Sequence, residues 1–388
     1  MNGRDSIPLR IINSVAPIRI CDNGGWTDTW FAGQGRIFNI GVSPYAEVQV
    51  EVYERPGDRA AVTIVAENYG ESYTRPLDAG GWDHYPLLEA AIDRMRLPRD
   101  LSFRVTIFSE VPAGASTGTS AAVSVALIGA LDCLTPGRMT PHEVANTAHA
   151  VETEMLKLQC GIQDQLCAAF GGINYIEMYK YPWATVSPLH VPDSVWWELE
   201  RRLVLIYLGN SHSSSQVHER VIRQLESDGP DCPALQDLRR TAERSRDSVY
   251  AGRFDLLGQA MVENTDAQER LHPSLVSADA RRVIEIARAH KALGWKVNGA
   301  GGEGGSITIL CGPFSERKRA MIREIRQENP AFRNIPITLA RQGLRVYESD
   351  VIPAGAPDAA GGGLPAASDE SRPPVQAKPR LAGVGADA

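Results

Sequence analysis

The sequence has no long basic block: forty Lys and Arg stand against forty-seven Asp and Glu in 388 residues, a net charge of −7. A protein that grips nucleic-acid backbone needs the opposite balance, so that class of partner is set aside. No apolar run approaches a membrane span, and the opening MNGRDSIPLRIINS has no apolar signal core. The expectation is a soluble, cytoplasmic chain without a membrane partner. Cysteine is sparse. Cys21, Cys133, Cys160, Cys167, Cys232 and Cys311 form no CxxC pair and no close array with histidine, which favours reduced, mostly buried thiols over a disulfide framework or a zinc site. Two familiar phosphate-binding signatures are also missing, since neither G-x-x-x-x-G-K-[ST] nor a G-x-G-x-x-G run entering a dinucleotide fold occurs. No short-period repeat is present.

What is present is a chain with 43% hydrophobic residues, able to bury a sizeable core and long enough for two domains. After a flexible leader over residues 1–11, INSVAPIRI reads as a strand running into the glycine turn of CDNGGWTDTW, and YAEVQVEVYE and LSFRVTIFSEV alternate as strands do. HYPLLEAAIDRM repeats apolar positions at helical spacing, and a further helix is expected from Thr140 to about Leu158, with Pro141 at its start. RRLVLIYLGN reads as a buried strand, HSSSQVHERVIRQL as a capped helix, SADARRVIEIARAHKALG as another helix, and WKVNGAGGEGGSITILCG as a glycine loop with a strand. The pattern is α+β, with one domain over 12–190 and a second over 191–350. The Pro/Gly/Ala-rich residues 351–388 have too few large apolar side chains for a core and are expected to be disordered.

Three clusters carry chemistry. In PAGASTGTSAAVSVALIGAL, small residues lead straight into an apolar helix, so backbone N–H groups and the positive helix end can face phosphate oxygens. The hydroxyls of Thr119 and Ser120 are suited to cap that helix, to hold a phosphate oxygen or to reach a metal ion. In AVETEMLKLQCGIQDQLCAAFGG, Glu152 and Glu154 diverge on any helix, so one at most faces a shared ligand. Asp164 sits before the small, apolar CAAFGG, where a carboxylate can orient a hydroxyl and accept its proton during phosphoryl transfer. In APIRICDNGGWTDT, Arg19 offers a planar fork to charged oxygens, while Asp22 and Asp28 are suited to accept from sugar hydroxyls; an ordinary Asp/Asn/Gly turn is the plainer reading. NGAGGEGGS at 298–306 lets backbone pass close to a ligand, or forms a tight structural loop.

Together these three clusters resemble the three motifs of the GHMP kinase superfamily, in order and spacing over residues 12–350. The first is similar to the L-fucose kinase and heptose 7-phosphate kinase branch, where a PxRI strand leads into GGxTD. The second departs from the usual PxxxGLGSSAA by placing Ser116 and Thr117 where Gly and Leu are common, and Thr119 where the first Ser is common. The resemblance implies an N-terminal domain like the second domain of ribosomal protein S5, a ferredoxin-like C-terminal domain, and a cleft between them. It implies ATP held by Pro112, Gly114, Ala115, Ser116, Thr117, Gly118, Thr119 and Ser120, with Mg²⁺ on Ser120 and Glu152. Asp164, in a CGIQDQ segment similar to the galactokinase CGIMDQ, is then the base, and Arg19 its electrostatic partner. The acceptor, a small sugar or sugar phosphate, is expected against Asp22, Gly25, Thr27, Asp28, His212, Ser214, Gly301 and Gly302, with Trp26 or Trp30 as a stacking surface. The implied activity is phosphorylation of a sugar hydroxyl, most simply the anomeric one, by a monomer or homodimer. A kinase of a non-sugar alcohol, an ATP-coupled decarboxylase and a catalytically silent sugar sensor are the competing readings.

Overall fold

In the computed structural model, residues 7–55, 60–112, 114–209, 221–223, 225 and 229–351 are described. The expected 212–225 helix lies largely outside them, as do residues 1–6 of the leader and residues 352–388 of the tail.

The first strand, β1 (Arg10–Asn23), begins two residues before the expected Ile12 and runs through the glycine turn's first residues. Its second half, IRICDN, is buried throughout, so this stretch is covered on both faces even though it carries Arg19, Asp22 and Asn23. β2 (Gly35–Glu54) is far longer than the expected YAEVQVEVYE, because the buried IFNI run precedes it in the same strand. β1 pairs antiparallel with β2 from Arg10↔Val52 to Asn23↔Phe38, with register shifts at Pro17/Ile18 and Ile20/Asn23. β3 (Ala61–Ala66), β4 (Glu71–Pro76) and β5 (Leu101–Ser109) extend the sheet beyond the second half of β2. The hairpin of β6 (Ile173–Lys180) and β7 (Trp183–Pro188) attaches to its first half.

Helices α1 (Pro86–Met95), α2 (Thr119–Asp132), α3 (Pro141–Ala150) and α4 (Gln163–Phe170) accompany this sheet. α2 has almost no polar face, consistent with a helix packed on several sides. α3 starts in a full capping box between Thr140 and Glu143. It does not continue to Leu158 as expected: after Ala150 the chain makes a π-turn over Val151–Met155 and leaves the helix. Such turns occur often at functional sites.

After α5 (Asp193–Arg202) the chain enters a second, four-stranded antiparallel sheet, ordered β11-β8-β10-β9. Its strands are β8 (Leu203–Tyr207), β9 (Gly294–Val297), β10 (Ser306–Leu310) and β11 (Arg333–Ile335). Between β8 and β9 lie α6 (Pro233–Tyr250), α7 (Phe254–Leu271) and α8 (Ala278–Ala289), and α9 (Ser315–Glu328) follows β10. β8 is buried at every position: Leu203, Leu205 and Tyr207 join the core of the first sheet, while Val204 and Ile206 join that of the second. Burying a side chain such as Ile206 stabilises by about 1.5–3 kcal/mol, so this strand ties the two cores together. The last strand, β12 (Arg345–Ser349), returns to the first sheet and pairs with β1. All six cysteines are unpaired. Among the described residues no helix is long and apolar enough to cross a membrane.

Candidate active site

The end of β1, the start of α2 and the start of α4 meet around Arg19, which is 4% exposed. Its Nε donates to Asp164 Oδ1 at 2.7 Å and its Nη2 to Asp164 Oδ2 at 3.2 Å, a two-pronged pairing that fixes the carboxylate's plane. A third donor, Nη1, reaches the Ser116 carbonyl, and the Arg19 backbone N–H donates to Thr117 O at 2.9 Å. Burial works against the guanidinium's charge, but Asp164 and Asp22 outweigh it and raise its pKa further.

The loop before α2 is shaped by three residues of positive φ, Gly114, Ser116 and Gly118. Gly118 (φ +69) caps α2 without a side-chain bond, so neither Thr119 nor Ser120 is the cap, and a Cβ at Gly118 would lie 3.1 Å from the Asp164 carboxyl carbon. Only glycine lets the loop approach Asp164 so closely. Ser116 also has positive φ, +56, where the related motif commonly has glycine. Thr117 and Thr119 hydroxyls contact each other at 3.2 Å, and Ser120 is exposed to the cavity. The loop from Gly114 and the first turn of α2 therefore border an open space, with the Ala115 N–H donated inside the loop to Pro112 O.

That space is a cavity of about 810 Å³. One end is walled by Asn68, Tyr69, Tyr85, Leu87 and Ile107, apolar and aromatic enough for a nucleobase. The other end presents Asp28, Trp26, Thr29, Cys160 and Gly161. Asp28 is 2% exposed and accepts the Gln163 N–H at 3.0 Å. Burial pushes its pKa up to about 6, opposed by that hydrogen bond and assisted by Asp164. A Cβ on residue 161 would lie 1.9 Å from Asp28 Oδ2, so Gly161 is required for space.

Other expected acceptor residues lie differently. Asp22 is fully buried; it pairs with Lys296 Nζ at 3.2 Å, accepts the Gly299 N–H at 3.0 Å and stands 3.9 Å from Arg19 Nη2. Its Oδ2 is thus engaged by a protein hydrogen bond, while its Oδ1 faces the Lys296 ammonium without a hydrogen bond, and the residue borders the cavity. Thr27 is buried beneath the site, its hydroxyl donating to Gly24 O and accepting from the Arg36 N–H, so it fixes the turn. Gly25 belongs to the same turn, where a Cβ would meet Asp22 Oδ2 at 2.9 Å. In the third loop it is Gly299 and Ala300 that line the cavity. Gly301 and Gly302 instead dock on Leu275: the Gly302 N–H donates to Leu275 O at 3.0 Å, and a Cβ on Gly301 would lie 2.2 Å from that oxygen. Trp26 borders the cavity, whereas Trp30 packs edge-on against Tyr181. His212 and Ser214 lie outside the described residues.

Comparison with known proteins places this geometry. The model for the GHMP kinases N terminal domain matches residues 86–172. A mevalonate kinase of Thermococcus gammatolerans is 30% identical over 273 residues, 68% of this chain and 75% of that protein. The chain belongs to the GHMP kinase superfamily. A D-glycero-alpha-D-manno-heptose 7-phosphate kinase of Campylobacter jejuni is 25% identical over 344 residues, 87% of this GHMP kinase and 99% of the relative. The crystal structure of a D-glycero-D-manno-heptose 1-phosphate kinase from Bacteriodes thetaiotaomicron has the same fold, with a TM-score of 0.67 at 22% identity over 87% of this chain and 98% of that one. As a GHMP kinase the protein is an ATP-dependent phosphotransferase with a small-molecule acceptor.

Glu152 tests whether this GHMP kinase fits a divalent cation. The π-turn buries it to 7% exposure at the cavity wall, while Glu154 is exposed, so the two glutamates diverge as expected. Gln165, a neutral partner, donates from Nε2 to Glu152 Oε1 at 2.7 Å. Burial pushes its pKa up to about 7, against the Gln165 hydrogen bond and with Asp164's help. A carboxylate whose charge is opposed by burial and the exposed hydroxyl of Ser120 line the same cavity, and together they are an all-oxygen donor set that fits Mg²⁺. Among the described residues no group of three His, Cys, Asp or Glu side chains is placed to hold a metal, so the remaining ligands would come from phosphate and water. Lys296 and Asn68 carry no sequence signal of their own and are placed by chain-distant packing, whereas Gln165 closes the CGIQDQ segment beside Asp164.

Proposed function

We propose that this GHMP kinase transfers the γ-phosphoryl group of ATP to a sugar hydroxyl, the anomeric O1 of a free aldose or of a heptose 7-phosphate. The observation that carries this reading is the Arg19–Asp164 pair held against Gly118 of the phosphate loop, with the buried Asp28 carboxylate at the acceptor end. In the proposed architecture an S5-like domain over 12–190 supplies loop and base, and a ferredoxin-like domain over 191–350 closes the site with the Asn298–Ser306 loop.

Asp28 accepts hydrogen bonds from acceptor hydroxyls and orients the reacting one toward Asp164. As that oxygen bonds to the γ-phosphorus, the bond from γ-phosphorus to the bridging oxygen breaks, ADP departs, and the hydroxyl proton passes to Asp164. Arg19 holds Asp164 in place and adds positive charge beside the reacting centre. Loop N–H groups from Gly114 to Ser120 bind the phosphates. Glu152 and Ser120 would hold Mg²⁺, which when bound neutralises charge on the nucleotide's phosphates.

A free, uncharged aldose is favoured over mevalonate by charge, whereas a heptose 7-phosphate is itself anionic and is supported by the likeness to its kinase alone. Mevalonate carries a carboxylate, and among the described residues the acceptor end offers Asp28 and no free cation, Arg19 being engaged by Asp164. The heptose 7-phosphate kinase relative is also matched over 99% of its length, against 75% for the mevalonate kinase.

The test is ATP-dependent product formation, read by mass and phosphorus NMR, across free aldoses, their terminal phosphates and mevalonate. A new anomeric phosphate is expected, with kcat falling about 10²–10⁴-fold in Asp164→Asn. Transfer to mevalonate alone would replace the sugar reading. Undiminished transfer in the variant would remove Asp164 as base, and sugar binding without transfer would leave a sensor.

A further inference from the structure

Of the cationic side chains among the described residues, only Arg19 and Arg333 line the cavity. Arg19 is committed to Asp164 and the Ser116 carbonyl. Arg333 is exposed and pairs with no carboxylate among the described residues; its guanidinium lies 5.2 Å over the Tyr207 ring, which gives it a defined direction. Nothing in the motif readings pointed to it.

Its position follows from the register of the second sheet. Asn298, just beyond β9, donates its N–H to Ser306 O at 3.0 Å; Ser306 is paired with Tyr207, and Tyr207 with Arg333. Directly paired residues of antiparallel strands put their side chains on one face. That face is turned toward the phosphate loop, because Ser306 Oγ donates to Ala115 O at 2.6 Å. The row therefore acts as a ruler. At the Asn298 end, Gly299 touches Asp22 and stands beside Arg19, where phosphoryl transfer takes place. Ser306 marks Ala115, and Arg333 lies two strands further on, roughly 10 Å at the usual strand spacing, away from the acceptor.

We propose that Arg333 is an anchor for the α- and β-phosphates of the bound nucleotide, supplied to the phosphate loop by the second sheet. The loop has no lysine of its own, so among the described residues this guanidinium is the cation available to the non-transferred phosphates. By the same geometry it does not touch the acceptor, even an acceptor that carries its own phosphate. The proposal rests on the kinase reading above.

Calorimetric titration of Arg333→Gln, Arg333→Lys and wild type with ADP and with adenosine tests it without any acceptor. ADP affinity is expected to fall about tenfold in Arg333→Gln, less in Arg333→Lys, with adenosine affinity unchanged. In turnover, KM for ATP rises while KM for the acceptor stays fixed. Equal losses for ADP and adenosine, an unchanged ADP affinity, or a shift in acceptor KM in place of ATP KM would each overturn the assignment. Failure of the wild type to bind ADP would sink the kinase reading itself, and the anchor with it. Thermal unfolding of both variants should match wild type, since Arg333 is exposed.

Discussion

Removing the ammonium of Lys296 is the sharpest perturbation of the scaffold behind the site. Lys296 is 1% exposed, its Nζ 3.2 Å from Asp22 Oδ1 and 3.0 Å from Gln268 Oε1. Burial lowers its pKa, with Asp22 opposing. In Lys296→Met the fully buried Asp22 keeps only the Gly299 N–H and a distant Arg19, 3.9 Å away. Breaking a buried pair from one side costs about 3–5 kcal/mol, because the remaining charge is left in a poor solvent. The Gly299 hydrogen bond and Arg19 soften this, so about 3 kcal/mol is expected.

Asp22→Asn in the same chain removes the stranded charge, and the double variant should recover at least about 2 kcal/mol relative to Lys296→Met. Urea unfolding of wild type, both single variants and the double variant closes the cycle, provided the m-values agree. Activity supplies an independent reading. An unneutralised Asp22 competes with Asp164 for Arg19, so Lys296→Met should lose kcat, and the double variant should regain part of it. A Lys296→Met protein within about 0.5 kcal/mol of wild type, or a double variant no more stable than that single one, would refute the reasoning.

Ser116→Gly should leave stability unchanged or raise it by up to about 1 kcal/mol, since relief of a left-handed serine is offset by glycine's freedom in the unfolded chain; a clear drop in the urea midpoint would show that the serine side chain compensates for its conformation. For Asp28 the folded pKa, about 6, lies above the ordinary unfolded value, so its contribution to stability is fully present below the unfolded pKa and is lost as pH rises through about 6. Urea midpoints of wild type minus those of Asp28→Asn, measured from pH 4 to 7, should fall along that window, and a flat difference would contradict the assigned burial.

The parts of the site legible in the sequence are those whose chemistry is local. The run from Gly114 to Ala121 announces a close-approach loop because small residues and a helix start are adjacent, and Gly118 has the left-handed φ such a loop requires. Asp164 was legible because a carboxylate ahead of CAAFGG needs a partner, and Arg19 provides it across 145 positions of chain. What stayed hidden depends on pairing between distant strands. Lys296 reads as one polar residue in WKV, and its role exists only because Asp22 lies opposite it. That contact pairs Asp22, expected to accept from sugar hydroxyls, with an ammonium at the cavity border, and the turn engages the Thr27 hydroxyl. Arg333 sits in an unremarkable polar stretch, yet the register from Asn298 through Ser306 and Tyr207 brings it to the phosphate loop. The π-turn at Glu152 breaks an otherwise helical pattern, and periodicity alone ran the helix through it. Local pattern thus marked Arg19 and Asp164 separately, whereas the contacts that bring them together and set charges around them come from the tertiary packing.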